Sequence, residues 1–392
     1  MWKQINELKK SLIVDENAEK GTSMRLTKGE PSRTVRNMES AEVLRRIEEL
    51  IEDMIRSISQ GHSPVLSSTN RGLWGNISFT EGVGLEMKEN ASLSETRFNS
   101  TTSRIKFALT LKTLAVCYKL IQTNTFCTKR DLYYNDPAAY SNQGTLDKIV
   151  DDVSCMLKVP RNSLHVLATS KGCIAGNLSY IEVDGRFIDC TSAKSGILIP
   201  AHVEDIQMIT SEAKFILVVE KDATFQKLLD EKITAKLHPC ILVTGKGYPD
   251  VHTRLMVKRL WDSLHIPILG LMDADPHGLD ILCVYKFGSK AMSHDSPNLT
   301  VPAIKWLGVL PSDVKRLRVP EEVLLPLEKS DLNKAKDMLN RPYWQSVPLW
   351  MKEMQIILET GKKAEIQCLT AVAEDFLTDV YLPSKIKCGG WI

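Results

Sequence analysis

Two adjacent tyrosines, Tyr133 and Tyr134, lie in the run RDLYYND, and Arg130 precedes the second of them by four residues. A phenol ionises near pH ~10, so at neutral pH it attacks phosphate only with help. On a helix, the i, i+4 spacing puts Arg130 and Tyr134 on one face. There a guanidinium can hold the phosphate under attack and stabilise the charge that develops on it. Tyr133 would point about 100° around the helix from Tyr134. The plainer alternative is an aromatic pair that packs a small helical domain.

Acids form a second group: Glu220 in EKDAT, and Asp273 with Asp275 in DADPHG. Carboxylate oxygens on neighbouring chain segments suit magnesium, a hard cation that takes one or two carboxylates and keeps several waters for phosphate. The competing role is helix capping, for which Asp275 before Pro276 is well placed. Lys246 in VTGKGYP lacks the glycine spacing of a P-loop and has no Ser or Thr after it, so ATP binding is not indicated. Lys129, Arg130, Lys171, Lys246, Arg254, Lys258 and Arg259 are candidates to neutralise backbone phosphates, each with the alternative of a solvated surface charge. His277 follows the acidic pair and is a further candidate for phosphate contact.

The elements that must position these residues follow from hydrophobic period and caps. From Ser40, apolar positions Val43, Leu44, Ile47, Leu50, Ile51, Met54, Ile55 and Ile58 recur at helical spacing, giving an amphipathic and apparently isolated helix over 40–58. It either packs on its own domain or docks in a partner's groove. The polar stretches 15–37 and 59–103 read as poorly ordered. From Arg104 the pattern is that of a winged helix. A first helix runs through Phe107 to Asn124, a second is capped by Thr128, and a third spans Leu146 to Leu157. A hairpin wing turns at Asp184 and Gly185 between strands at 178–183 and 186–190. From Lys214 strands and helices alternate: 215–219, 223–231, 241–244, 251–264, 268–272 and 279–285. That rhythm argues for a parallel sheet with helices on its faces. Glu220, Gly245–Gly247 and Asp273 with Asp275 all fall where strands end, along the edge at which such sheets bind ligands. Further helices are expected at Pro348–Thr360 and Ile366–Val380.

Composition sets the outer limits. The chain has 392 residues, 43% of them hydrophobic, and a formal charge of only +2, so any nucleic-acid surface must be a local patch. The nine cysteines are scattered and never form CxxC, which excludes metal knuckles and redox pairs of that type. Residues 1–20 lack an apolar leader core, and nowhere do about 18 uncharged apolar residues run together, so neither secretion nor membrane spanning is expected. A cytosolic or nuclear compartment remains.

Six ordered blocks then carry a resemblance: TKRDLYYND, TSKG at 169–172, ILVVEKDATFQKLL, LVTGKGYPDVHTRLMVKRLW, LMDADPHG and VYLPSKIKCGGWI. Together they resemble the meiotic double-strand-break endonucleases related to the A subunit of DNA topoisomerase VI, over roughly residues 104–392. The resemblance implies an α/β with α+β architecture: a winged-helix (CAP-like) cleavage domain at 104–205, then a Toprim domain and C-terminal helices at 206–392. Before them come the segment 1–39, a docking helix at 40–58 and a linker at 59–103. It also implies that Tyr134 attacks DNA, leaving a 5′-phosphotyrosyl link, and that Glu220, Asp273 and Asp275 hold Mg2+. Arg130 and Lys171 would handle the DNA backbone, with Lys246 and Arg254 as further DNA contacts. Expected partners are double-stranded DNA, a topoisomerase VI B-like subunit docked through 40–58, and a second copy in a homodimer or A2B2 assembly in the nucleus, on meiotic chromosomes. The tyrosine of one protomer would work with the metal site of the other. The alternative is a non-catalytic DNA-binding scaffold, which has no need for Tyr134, Arg130 and three acids together.

Overall fold

The computed structural model describes residues 39–237 and 239–392. The expected poorly ordered segment 1–39 therefore lies, but for its last residue, outside the described residues. The described part begins with helix α1, Ser40–Ser59. Its Val43, Ile47 and Met54 are buried, and Arg46 donates to the Leu157 carbonyl at 2.7 Å. The helix is thus not isolated, because one apolar stripe packs on its own domain. Ile55 and Ile58 on the other side remain 61% and 56% exposed.

The stretch read as an unstructured linker is folded. Strands β1 (Val65–Thr69), β2 (Ile77–Thr80), β3 (Gly84–Met87) and β4 (Leu93–Arg97) form two antiparallel pairs, β1 with β4 and β2 with β3. Leu66 packs with Met54 and Phe107 of the helical domain, whereas Ile77 and Leu85 join the core of the large sheet. Each strand is short and contributes one or two buried positions among polar ones, which is why composition alone reads as disorder.

Three helices of seven residues or more follow: α2 (Arg104–Gln122), α3 (Lys129–Asn135) and α4 (Gln143–Leu157), with a single turn at Pro137–Tyr140 between the last two. Leu114, Cys117, Leu146, Ile149, Val150 and Val153 close their core together with Val43 and Ile47. A short parallel pair, β5 (Cys127–Thr128) with β6 (Val166–Leu167), brackets this unit. Strands β7 (Cys173–Gly176), β8 (Ser179–Ile181), β9 (Phe187–Asp189), β10 (Ile197–Leu198) and β11 (Gln207–Thr210) come next. The hairpin β8–β9 turns at Gly185 with φ +85°, as the Asp-Gly signal predicts.

Its location differs from expectation. It pairs with β11, and Leu178, Tyr180 and Cys190 pack into the core of the large sheet. Strand β7 is buried on both faces and joins that sheet antiparallel to β13 (Cys240–Thr244). A Cβ on Gly176 would lie 2.3 Å from the Cys240 carbonyl oxygen, so this pairing requires glycine. By packing, residues from 173 onward therefore belong with the sheet rather than with the helices, earlier than the boundary expected at 205.

The large sheet runs β10-β7-β13-β12-β14-β15, adding β12 (Phe215–Val219), β14 (Ile268–Leu271) and β15 (Lys305–Gly308). Pairs β13–β12, β12–β14 and β14–β15 are parallel. Ile216 and Val218 enter one core and Phe215, Leu217 and Val219 the other, so β12 is apolar at every position. Helices α5 (Asp222–Asp230), α6 (Val251–Leu264) and α7 (Pro276–Phe287) cross between the strands where the alternation predicts them. Helix α8 (Pro348–Thr360) matches its prediction at both ends, whereas the helix expected over 366–380 breaks into a 3-10 turn at Ile366–Ala371 and a helical run from Leu377 to Lys387. Among the described residues, no helix is long and apolar enough to cross a membrane.

Candidate active site

The parallel sheet delivers its acids to one edge because each stands just beyond the C-terminal end of a strand. Glu220 follows β12, and Asp273 and Asp275 follow β14. Glu220 is 8% exposed and Asp273 3%. The Asp273 N–H donates to Glu220 Oε2 at 2.8 Å, locking the two strand ends together. Asp273 Oδ1 accepts from the Ile366 N–H at 2.8 Å, and Lys221 Nζ lies 2.8 Å from Asp273 Oδ2 and 3.2 Å from Glu365 Oε1. Asp275 caps α7 by accepting from the Gly278 N–H at 2.7 Å. The capping alternative is therefore correct for Asp275, but it occupies a single oxygen.

Burial, with Asp273 and Asp275 close by, pushes the Glu220 carboxyl up to about 8. Burial raises Asp273 as well, against the pull of Lys221. Buried carboxyls that resist ionisation beside one another are compatible with a cation site whose cation is not counted. As placed, no three His, Cys, Asp or Glu side chains among the described residues converge on one point that would hold a metal. Asp273 is turned to Lys221 and Ile366, while Glu220 Oε1 and Asp275 Oδ2 make no hydrogen bond among the described residues. The all-oxygen donor set suits a hard divalent ion, to which the two uncommitted oxygens would be the first available.

Gly278 makes the cluster sterically feasible. A Cβ there would sit 2.6 Å from the Asp273 carbonyl oxygen and 2.9 Å from Glu220 Oε2. Lys221 and Gly278 escaped the sequence reading, although each is adjacent to a selected motif: Lys221 follows Glu220, and Gly278 closes DADPHG.

Two of the basic candidates come together beside the acids. Asp250 caps α6 through Thr253 N–H at 2.8 Å, and its other oxygen accepts from the Lys171 N–H at 2.8 Å. Lys171 Nζ donates to the Lys246 carbonyl at 3.2 Å, and the Gly247 N–H donates to the Glu220 carbonyl at 2.9 Å. The TSKG and GKG loops thus form one exposed, basic rim joined to the acid edge. Arg254 is elsewhere. It is 3% exposed, with Nε donating to the Leu299 carbonyl at 3.3 Å. A DNA phosphate cannot reach it without opening the core, so the expected DNA contact is corrected to an internal structural charge. Lys129 pairs with Asp151 at 3.1 Å, Lys258 with Asp262 at 2.8 Å, and Arg259 donates to the Ile206 carbonyl. His277 lies 3.5 Å from Asp331.

The tyrosine pair sits on the separate helical unit. Thr128 and Asp131 form a capping box that starts α3, and buried Leu132 anchors the helix. Tyr134 is 71% exposed, whereas Tyr133 is half-buried and packs with the helical core. Arg130 is also exposed and makes no side-chain hydrogen bond or ion pair among the described residues, so both members of the predicted pair are available to a ligand.

A family model for the Toprim domain of Spo11 and the A subunit of topoisomerase 6 matches residues 215–386, and one described as Type IIB DNA topoisomerase matches residues 105–166. The chain is 51% identical over 353 residues to the meiotic recombination protein SPO11 of Homo sapiens, covering 90% of this chain and 89% of that protein. It is 49% identical over 362 residues to the SPO11 of Mus musculus, covering 92% and 91%. It is 39% identical over 347 residues to the A subunit of DNA topoisomerase 6 from Arabidopsis thaliana, covering 88% and 80%.

Proposed function

The chain belongs to the topoisomerase VI A subunit/Spo11 family, and from that premise we propose how its residues act. It forms meiotic DNA double-strand breaks by a topoisomerase-like mechanism. The observation that carries our residue assignment is the contrast between an exposed Tyr134 with Arg130 on its face and an acid edge where burial holds Glu220 and Asp273 up with a single lysine, Lys221, beside them.

In the proposed step, Tyr134 Oη attacks a backbone phosphorus, its proton passes to water, and the bond to the 3′ oxygen breaks as that oxygen takes a proton back from water. The strand is left with a 3′ hydroxyl and a 5′-phosphotyrosyl link, and no nucleotide is consumed. Arg130 holds the attacked phosphate, and Tyr133, committed to packing, supports the helix. Lys171 and Lys246 neutralise neighbouring phosphates from the rim. Glu220, Asp273 and Asp275 would hold magnesium, which supplies positive charge to the phosphate oxygens as the phenolate adds. The exposed position of Tyr134 supports a nucleophile presented to DNA and to the acid edge of a second copy, in a dimer. The outward face of α1, with Ile55 and Ile58, is the proposed seat of a B-type subunit. The protein would act in the nucleus, on meiotic chromosomes.

The test uses the chain assembled with its B-type partner, Mg2+ and end-labelled duplex DNA, resolved on a denaturing gel. Covalent attachment at 5′ ends is expected for wild type and not for Tyr134→Phe. An adduct that persists in Tyr134→Phe would move the nucleophile to Tyr133. A DNA-bound assembly that never forms the adduct would favour a scaffold.

A further inference from the structure

One cation already sits on the acid edge. Lys221, immediately after Glu220, reaches across the strand ends so that its ammonium lies 2.8 Å from Asp273 Oδ2, 3.2 Å from Glu365 Oε1 and 3.5 Å from Gln367 Oε1. The two acids differ in kind. The Asp273 side chain is 5% exposed and pinned by the Ile366 N–H, whereas that of Glu365 is 51% exposed. An ammonium held between a fixed and a free carboxylate can shift toward either by rotating a flexible stem.

We propose that Lys221 is the internal counter-cation of the acid edge, resting on Asp273 and moving to Glu365 when a divalent cation takes the aspartate. This rests on the reading of Glu220, Asp273 and Asp275 as metal ligands. Two consequences follow from Coulomb's law. A positive charge tethered beside the site weakens cation binding, so metal affinity is set below what three carboxylates alone would give. Glu365 lowers that penalty by giving the displaced ammonium a partner. Lys221 is thus a positioning residue that tunes occupancy, and it keeps Asp273 from being a buried charge without a counter-ion.

The probe is Mn2+, titrated into the full chain and followed by the loss of the free-ion paramagnetic resonance signal, with no DNA and no cleavage readout. Lys221→Met is expected to bind Mn2+ about tenfold more tightly than wild type, and Lys221→Arg to stay near it. Glu365→Gln is expected to bind about threefold more weakly, because the ammonium then has only Asp273 to occupy. Thermal melts supply a second measurement: Lys221→Met should melt below wild type in chelator and recover in Mn2+. Lys221→Gln repeats the comparison should the methionine variant not fold. Wild-type and Lys221→Met chains that bind Mn2+ equally overturn this inference alone. A wild type that binds no Mn2+ overturns the metal assignment, and this inference with it.

Discussion

Each of the three carboxylates at the sheet edge is held by the protein, Glu220 by a backbone N–H, Asp273 by a backbone N–H and Lys221, and Asp275 by its capping bond. The helix that carries Tyr134 has seven residues, and Tyr134 is 71% exposed with no described hydrogen-bond or ion-pair partner for the nearby Arg130. The first region is preorganised and electrostatically incomplete, while the second is complete as a fold and chemically unassisted. On the proposed reading, metal and phosphate would supply what the first lacks, and the second lacks a neighbouring electrophile. If the proposed roles hold, such a chain gains its reaction only when the two halves are brought together.

The sharpest way to break this comparison is to separate the halves genetically. If Tyr134 works with the acids of a second copy, a dimer pairing a Tyr134→Phe protomer with an Asp273→Asn protomer retains one intact site. It should nick one strand of end-labelled DNA. A dimer pairing wild type with a chain carrying both substitutions has no intact site and should lose adduct roughly 10³-fold or more. Should the second dimer nick while the first stays silent, each tyrosine serves its own acids and the assembly argument fails.

Next in size is Gly278→Ala. In an ordinary helix alanine is the better residue, but here its Cβ meets the Asp273 carbonyl and Glu220 Oε2. The substitution should cost about 1–3 kcal/mol in chemical denaturation and weaken Mn2+ binding, leaving α3 untouched. A more stable variant with unchanged Mn2+ affinity would show that the close approach is not needed.

The seam between the two regions gives a pH test. Asp295, 5% exposed, lies among Arg161, Arg254 and Glu204, and burial pushes its carboxyl up to about 6 from an ordinary 3.8. An acid raised by folding costs nothing below its unfolded value, and its full cost appears as pH rises through the folded value. Asp295→Asn should therefore be more stable than wild type by on the order of 2 kcal/mol at pH ~7.5. The gap should shrink through pH 6 and vanish below about pH 4. A gap independent of pH would assign the effect to packing.

Legibility in the sequence divides along the same line. The strands at 215–219, 241–244 and 268–271 and helix 251–264 were readable because a buried parallel sheet requires continuous apolar runs with polar residues only at their ends. That same rule put Glu220 and Asp273 at one edge. Helix α3 was readable from Thr128 and its cap. What escaped depends on tertiary partners. Leu66, Ile77 and Leu85 sit in strands of four or five residues with too few apolar positions to read as core, and their burial is decided by helices and strands far along the chain. The β8–β9 hairpin was correct as a hairpin, but nothing local says which core receives Tyr180. Arg254 carries no local sign of burial, because an arginine on a helix reads as surface until the chain packed over it is known.

The smallest expected effect tests that last distinction. Lys171 and Arg254 were equivalent candidates in sequence, yet one sits on an exposed rim and the other contacts the Leu299 carbonyl inside the fold. A phosphate contact releases a counterion when it forms, so Lys171→Ala should reduce the slope of log affinity against log salt by about 1, with little change in melting. Arg254→Gln should leave that slope unchanged and lower the melting temperature, since it strips Asp295 of one of its positive neighbours. A salt slope that falls with Arg254→Gln would mean the helical domain and the sheet part on DNA, exposing the seam between them.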